Sequence, residues 1–179
     1  MVVATDRQRL LSTKLHRPRV ATDLVHRERL KQLLDAGLDR PLILVAAPAG
    51  FGKSTLLSHW LQISDLPNAW ISLDESDSDL SVFLAYFLAA VESIFPNALL
   101  ETRSFLAGVS LPAAGVVAHS LINELDRLEH DFVLVLDDYH LIHGQAVHEL
   151  ISLLLQHPPR TMHLVLGARM EPPLSLGVL

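Results

Sequence analysis

The 179-residue sequence contains no cysteine, so it has no disulfide framework and no thiolate for catalysis. It has no block of lysine or arginine, and its net charge of −6 gives it no basic surface of the kind that binds DNA or RNA. Its longest apolar runs, such as 41–48, are far below the roughly 20 residues of a membrane-spanning helix. The N-terminus lacks the apolar core of a signal peptide. We therefore expect a cytoplasmic protein with no membrane partner.

The apolar content, in contrast, is high: 50% of the residues are hydrophobic and 19% are charged, which is typical of a globular domain. Short apolar runs predict four buried strands, at 42–47, 69–73, 132–136 and 163–167. Helical spacing and stop signals predict helices at 24–34, 53–63, 80–95, 112–129 and 145–156, whereas 97–111 stays ambiguous. This alternation predicts an α/β fold in which helices cover both faces of a parallel sheet.

The first predicted strand leads into a glycine-containing loop that reads Ala47-Pro48-Ala49-Gly50-Phe51-Gly52-Lys53-Ser54-Thr55. This is the Walker A pattern with alanine in place of its first glycine. Gly50 and Gly52 permit the tight turns that aim backbone N–H groups at phosphate oxygens, and the following helix adds its positive N-terminus. Lys53 can reach the β- and γ-phosphates, and the Ser54 hydroxyl can bind Mg²⁺. We therefore expect a site for ATP, or for ADP, with magnesium.

Two further strands are predicted to end in charged residues. The strand at 132–136 runs into Asp137 and Asp138, which is the form of a Walker B motif. Asp137 would hold Mg²⁺, directly or through water, and Asp138 would orient or deprotonate the attacking water. The last strand leads to Arg169, which is either a sensor of the γ-phosphate or a surface arginine in a loop. Ligands of such sheets bind beyond the carboxyl ends of the strands, so these residues should lie beside the P-loop.

Other nucleotide-binding classes use the same loop. A small-molecule or nucleoside kinase would employ Lys53 and Asp137 in the same way, but it also needs an acceptor pocket and a basic lid. No arginine-rich segment follows the third predicted strand, and adjacent carboxylates suit water activation better, so the kinase stays as the alternative. A GTPase would need an Asn-Lys-x-Asp guanine reader, and an ABC transporter ATPase a Leu-Ser-Gly-Gly-Gln signature. Neither sequence occurs here.

Together, these three motifs resemble the STAND class of signal-transduction ATPases, and in particular the MalT-like (LAL) branch of LuxR-family transcriptional regulators. Four other stretches are similar to segments of that branch: Thr13-Lys14-Leu15, Val25-His26-Arg27-Glu28-Arg29-Leu30, Trp70-Ile71-Ser72-Leu73-Asp74-Glu75 and Asp137-Asp138-Tyr139-His140. In this family the second stretch lies near the adenine. The resemblance therefore leaves Arg27 as either a nucleotide contact or a surface residue.

The resemblance also implies a fold and a function. The fold is a three-layer αβα P-loop NTPase of the additional-strand (AAA/STAND-like) class, with sheet order 1-4-3-2 here and the fifth strand expected beyond residue 179. The function is an ATP-binding, slowly hydrolysing switch, in which ATP favours self-association and ADP a resting form. We expect an extended lead-in over 1–22 and a P-loop domain over 23–179, as the N-terminal part of a larger regulator. DNA would be bound only through a C-terminal domain absent from this chain.

Without a fifth strand, the strand at 42–47 lies at an edge of the sheet. It is apolar on both faces and presents unpaired backbone groups, and such an edge invites pairing with another chain. We therefore expect either self-association or a cover for this strand from residues 12–20.

Overall fold

The structure is a computed structural model, which describes residues 10–20 and 27–174. Its sheet has four strands: β1 (Leu42–Ala46), β2 (Asn68–Ser72), β3 (Phe132–Asp137) and β4 (Met162–Ala168). All neighbouring strands pair in parallel, and their order is β1-β4-β3-β2. This order confirms the predicted 1-4-3-2 arrangement. Every residue of β3 is buried, which explains its uninterrupted apolar sequence.

The helices are α1 (Glu28–Gly37), α2 (Lys53–Ile63), α3 (Leu80–Glu92), α4 (Leu100–Leu106), α5 (Ala114–Leu125) and α6 (Gln145–Gln156). The predicted bounds of α2 and α6 are confirmed, whereas α3 and α5 are shorter than predicted. Helix α4 lies in the segment that the sequence left ambiguous. The predicted start of α1, at residue 24, lies outside the described residues.

Helices cover both faces of the sheet. Alternate residues of β3 point to opposite sides: Leu134 and Leu136 belong to a large core with α3, α5 and α6, and Val133 and Val135 belong to a smaller core with α1 and α2. Trp60 of α2 is almost completely buried in the smaller core. Side chains alternate between the two faces of the sheet along a strand. One continuous apolar run therefore contributes to both cores of the three-layer sandwich.

Strand β1 lies at one edge of the sheet and β2 at the other. The 3-10 turn Ser12–Leu15 packs against β2. The expectation that residues 12–20 cover β1 is therefore wrong for this turn, which lies at the opposite side of the sheet.

Lys14 is the physical reason for this placement. It is 8% exposed, and its ammonium contacts Asp77 at 2.5 Å and Asp74 at 3.1 Å in the loop after β2. It also lies 4.3 Å from the centre of the Tyr86 ring. The backbone N–H of Leu11 donates to the Tyr86 hydroxyl at 3.0 Å. A buried ammonium requires such partners, and the β2 side supplies them.

Candidate functional site

The loop between β1 and α2 has the backbone conformation that its sequence predicts. Gly50 and Gly52 have φ angles of 82° and 78°, in the left-handed region that favours glycine. No atom lies within 4 Å of a Cβ built at either position, so the requirement is conformational and not one of space. Gly52 precedes the first turn of α2, which contains Lys53, Ser54 and the half-buried Thr55 and has no acidic residue. The N–H groups of this turn suit an anion.

Lys53 is the first residue of α2, and it is buried. Its Nζ atom donates to the carbonyl oxygens of Ala47 at 2.7 Å and Pro48 at 3.2 Å. The ammonium is therefore folded into the curve of the loop. The contact of this cation with the β- and γ-phosphates stays a prediction.

Asp137 is a buried carboxylate with a free oxygen. Its Oδ1 atom is buried and has no hydrogen-bond partner among the described residues. Burial raises the pKa of Asp137, and the Ser54 hydroxyl opposes this effect while the charge of Asp138 adds to it. A buried carboxylate with an unpartnered oxygen is costly unless a cation compensates it, and carboxylate and hydroxyl oxygens are ligands of Mg²⁺. Asp137 and Ser54 therefore fit a magnesium ion.

Gly167 of β4 makes room for this carboxylate. A Cβ atom at position 167 would lie 2.4 Å from Asp137 Oδ1, much closer than any real contact. Sequence reasoning placed Gly167 in a strand and gave it no role. One sequence feature could have indicated this role: a glycine inside a buried strand often marks a position where a group from another element approaches the backbone closely.

Asp138 adopts the left-handed conformation, with a φ of 57°. This conformation is uncommon for residues other than glycine, and such residues cluster at functional sites. The side chain is 43% exposed, in contrast to that of Asp137. The two adjacent carboxylates therefore face different environments, one buried and one open to solvent.

Arg169 follows the last residue of β4 and is exposed. Its charge, like that of Lys53, acts on His140 in the turn after β3. The structure thus brings the P-loop lysine, both carboxylates and Arg169 to one end of the sheet, as their positions after parallel strands predict. No group of three His, Asp or Glu side chains suited to a metal occurs among residues 10–20 and 27–174.

A cavity of about 400 Å³ adjoins the P-loop between α1 and the free edge of β1. Its walls are mainly apolar and include Leu30 and Leu34 of α1, Ile43 of β1 and Leu56 of α2. Arg27 also lines it, and its Nη1 atom lies 3.5 Å from the carbonyl oxygen of Phe51 in the P-loop. Apolar pockets of this size with a few polar groups hold small ligands. A nucleotide contact for Arg27 stays a prediction, and no sequence pattern indicated the apolar wall.

Comparison with known sequences decides the family. The model of the AAA ATPase domain family matches residues 24–166. The chain belongs to this family. The shared region contains the P-loop, both carboxylates of the third strand and most of β4, so the recognition of an AAA/STAND-like P-loop ATPase from its motifs is confirmed.

The chain is also similar to transcriptional regulators called MalT. It is 35% identical to HTH-type transcriptional regulator MalT of Vibrio cholerae over 176 residues, covering 92% of this chain and 18% of that protein. It is 33% identical to the MalT of Klebsiella pneumoniae and 34% identical to that of Serratia proteamaculans, each over 169 residues and 94% of this chain. The chain spans 18% of the length of these relatives.

Among solved structures, that of C. elegans PCH-2 aligns with 84% of this chain and 37% of its own, at 14% identity and a TM-score of 0.40. The family assignment rests on the sequence matches. Within the described part of the chain, no helix is both long and apolar enough to cross a bilayer.

Proposed function

We propose that this AAA ATPase domain binds ATP or ADP with Mg²⁺ and hydrolyses ATP slowly, as the switch of a signal-responsive transcriptional regulator. The observation that carries the proposal is the juxtaposition at the end of β1 and β3. Lys53 lies inside the P-loop, and the buried Asp137 carboxylate interacts with the Ser54 hydroxyl while its Oδ1 atom has no hydrogen-bond partner among the described residues. A cation for phosphates and a ligand pair for magnesium are the two parts that a P-loop ATPase needs.

In this proposal the P-loop, residues 47–55, holds the phosphates through its backbone N–H groups and Lys53. Ser54 and Asp137 hold the magnesium, which neutralises developing charge on the phosphates when bound. Asp138, with its solvent-facing carboxylate, orients the attacking water. The exposed Arg169 contacts the γ-phosphate.

The base lies in the apolar cavity beside the P-loop, with Arg27 at its border. A nucleobase offers two apolar faces, which suit side chains such as Leu30 and Leu34. The contact of Arg27 with the Phe51 carbonyl links the base region to the phosphate region.

At the level of the whole regulator, ATP favours a self-associating form and ADP a resting form. Residues 1–22 form a lead-in and 23–179 the nucleotide-binding domain. DNA is bound through a C-terminal domain outside this chain, and the protein works in the cytoplasm. The similarity to the MalT regulators supports this larger setting.

Titration calorimetry with ATP and ADP, with and without Mg²⁺, tests the nucleotide site. We expect binding of both nucleotides and a tighter complex with ATP when Mg²⁺ is present. Phosphate release is then measured with and without candidate phosphoryl acceptors. Release without an acceptor supports the switch, whereas transfer to an acceptor supports the kinase that uses the same P-loop. The absence of any nucleotide binding would contradict both.

A further inference from the structure

Ser72 is the last residue of β2, at the same end of the sheet as the P-loop, and the proposed function does not use it. In the sheet register Ser72 is paired with Asp137 of β3, and neighbouring strands lie about 4.8 Å apart. One residue further along, the N–H group of Leu73 donates to the carbonyl oxygen of Asp137 at 3.0 Å. The backbone therefore fixes Ser72 beside the carboxylate that is proposed to hold magnesium.

The side chains of Ser72 and Asp137 point to the same face of the sheet. Two residues before them, Trp70 and Val135 form a register pair, and both belong to the smaller core on the α2 side. Because side chains alternate along a strand, positions 72 and 137 also face α2. The interaction of Asp137 with the hydroxyl of Ser54, in the first turn of α2, agrees with this orientation. Ser72 thus lies on the side of the sheet that carries the proposed magnesium ligands.

A buried tryptophan orients the Ser72 hydroxyl. Trp70 Nε1 donates to Ser72 Oγ at 2.9 Å. The indole ring is 2% exposed and packs among the apolar side chains of the smaller core, so its position is fixed. An indole N–H group only donates, whereas a hydroxyl oxygen has two lone pairs. Trp70 therefore fills one lone pair of Ser72 Oγ and leaves the other available in a defined direction.

Asp137 leaves room on the side of its carboxylate that faces β2. Its Oδ1 atom is directed toward β4, where it would lie 2.4 Å from a Cβ atom at Gly167, and β4 flanks β3 on the side opposite to β2. The hydroxyl that interacts with Asp137 is that of Ser54, not that of Ser72. Ser72 is half-buried, so a water molecule can reach its hydroxyl.

Mg²⁺ in proteins keeps several of its water molecules, and the protons of these waters need acceptors. We propose that Ser72 is a positioning residue for the magnesium site: its Oγ atom accepts a hydrogen bond from a water bound to the Mg²⁺ that Asp137 and Ser54 hold. The bond from Trp70 sets the direction of this acceptor, and groups that orient metal ligands in this way contribute to metal affinity. This inference rests on the proposed function, in which Asp137 and Ser54 hold the ion.

Titration calorimetry with ATP, with and without Mg²⁺, measures the factor by which the metal tightens nucleotide binding. In Ser72→Ala this factor should fall by about 3- to 10-fold, because a metal-bound water loses its hydrogen-bond acceptor. Ser72→Thr keeps the hydroxyl and should retain the parental factor. Trp70→Phe keeps the hydroxyl of Ser72 but releases it to rotate, so we expect a smaller fall than in Ser72→Ala.

Two further variants separate this role from stability. Ser72→Ala leaves the buried N–H group of Trp70 without an acceptor and lowers stability, whereas the double variant Trp70→Phe/Ser72→Ala removes both partners. The double variant should show the same fall in the Mg²⁺ factor as Ser72→Ala. Trp60→Phe is the matched control, because it removes the other indole hydrogen bond of the smaller core, with Asp35 at 2.8 Å, and should keep the parental factor. A parental factor in Ser72→Ala, or an equal fall in Trp60→Phe, would overturn the proposal.

NMR provides a readout at the Ser72 hydroxyl itself. The chain has two tryptophans, so its ¹H–¹⁵N spectrum contains two indole N–H resonances. In the ADP-loaded chain, addition of Mg²⁺ should shift the Trp70 resonance, because the oxygen that accepts its hydrogen bond gains a second one, while the Trp60 resonance serves as the internal reference. Ser72→Ala should remove most of this shift. A Trp70 shift that is absent in the parent, or equally large in Ser72→Ala, would overturn the inference.

Failure of the inference and failure of the proposed function give different results. A parent that binds no nucleotide removes the proposed function and the inference with it. A parent that binds nucleotide more tightly with Mg²⁺, together with a Ser72→Ala variant that gains as much from the metal, removes only the inference.

Discussion

Lys53 shows how a single side chain can decide ligand binding. It makes its two hydrogen bonds with carbonyl oxygens of its own loop, so its removal disturbs little besides the loop. We expect Lys53→Ala to weaken binding of ATP by about tenfold or more, because a charge-assisted hydrogen bond contributes roughly 1.5–3 kcal/mol. Calorimetry measures the change. Lys31→Ala, which breaks an exposed ion pair with Asp35, should leave the affinity unchanged. Equal affinities for Lys53→Ala and the parent would exclude the assigned role.

Asp138 and Asp137 are neighbours with different predicted roles. Asp138→Asn should leave the binding of Mg²⁺–ATP unchanged and slow hydrolysis by about 100-fold, because an amide is a poor acceptor for the proton of water. Binding is measured by calorimetry and hydrolysis by phosphate release, in an assembly that does hydrolyse ATP. A variant that hydrolyses at the parental rate would show that Asp138 is not the water-activating group.

Gly167 is the residue whose role depends entirely on its neighbour. Gly167→Ala should push against Asp137 Oδ1, lower the free energy of unfolding by about 1–3 kcal/mol, and reduce the contribution of Mg²⁺ to ATP affinity. Urea unfolding and calorimetry with and without Mg²⁺ measure the two effects. Gly115→Ala in α5 is the matched control, because no atom lies within 4 Å of the added methyl group. That variant should be as stable as the parent, or more stable by about 0.5–1 kcal/mol.

At the scale of elements, the N-terminal turn is attached to the sheet by the buried ammonium of Lys14. Lys14→Met would leave Asp77, which is fully buried, without its cation. We expect this variant to lose about 3–5 kcal/mol of unfolding free energy, measured by urea denaturation. Lys31→Met, in the exposed pair with Asp35, should change stability by no more than about 1 kcal/mol. Similar losses of unfolding free energy in both variants would show that the buried ion pair stabilises the fold no more than the exposed pair does.

The same contact gives stability a pH dependence. Burial acts to lower the pKa of Lys14, but the interactions with Asp77 and Asp74 outweigh it and raise that pKa. The hydrogen bond with the Ser76 hydroxyl and the contact with Lys14 lower the pKa of Asp74. A depressed carboxylate pKa stabilises the fold above the ordinary value of 3.8 and ceases to do so as the pH falls through the folded-state pKa. The stability difference between the parent and Lys14→Met should therefore shrink below pH 3.8. A difference that stays constant into acid would contradict this assignment.

At the scale of the whole molecule, β1 is an edge strand that pairs with another strand on one side. Strand β1 pairs with β4, and the apolar cavity adjoins its other side. We expect the chain to self-associate, with ATP favouring the larger species. Sedimentation velocity across a concentration series, with ATP or ADP present, measures this. A single monomeric species under all conditions would contradict it.

Amide hydrogen exchange locates the protected surface. In the self-associated sample, amides of β1 should exchange nearly as slowly as those of β3, which is paired on both sides and provides an internal reference. On dilution to monomer, the β1 amides should exchange faster while the β3 amides stay slow. Fast β1 exchange in both samples would show that another surface mediates the association.

The sequence by itself determined the features that depend on local or periodic patterns. Strands β3 and β4 were predicted because a strand buried on both faces is a continuous apolar run. The bounds of α2 and α6 follow from local signals: the P-loop at the start of α2, and Pro158 and Pro159 after α6. The P-loop was recognised because adjacent residues bind the phosphates. Parallel topology then implied that Asp137 and Arg169 lie at one end of the sheet.

Only the tertiary structure decided which distant side chains meet. Lys14 and Asp77 are 63 residues apart in sequence, and no sequence pattern predicts their contact. The clearance that Gly167 gives to Asp137, the apolar cavity beside the P-loop and the position of Ser72 beside Asp137 likewise arise between separate elements. The N-terminal turn was assigned to the wrong edge for the same reason. A sequence pattern reports which face of an element is apolar, but the partner of a buried charge is set by packing across the whole fold.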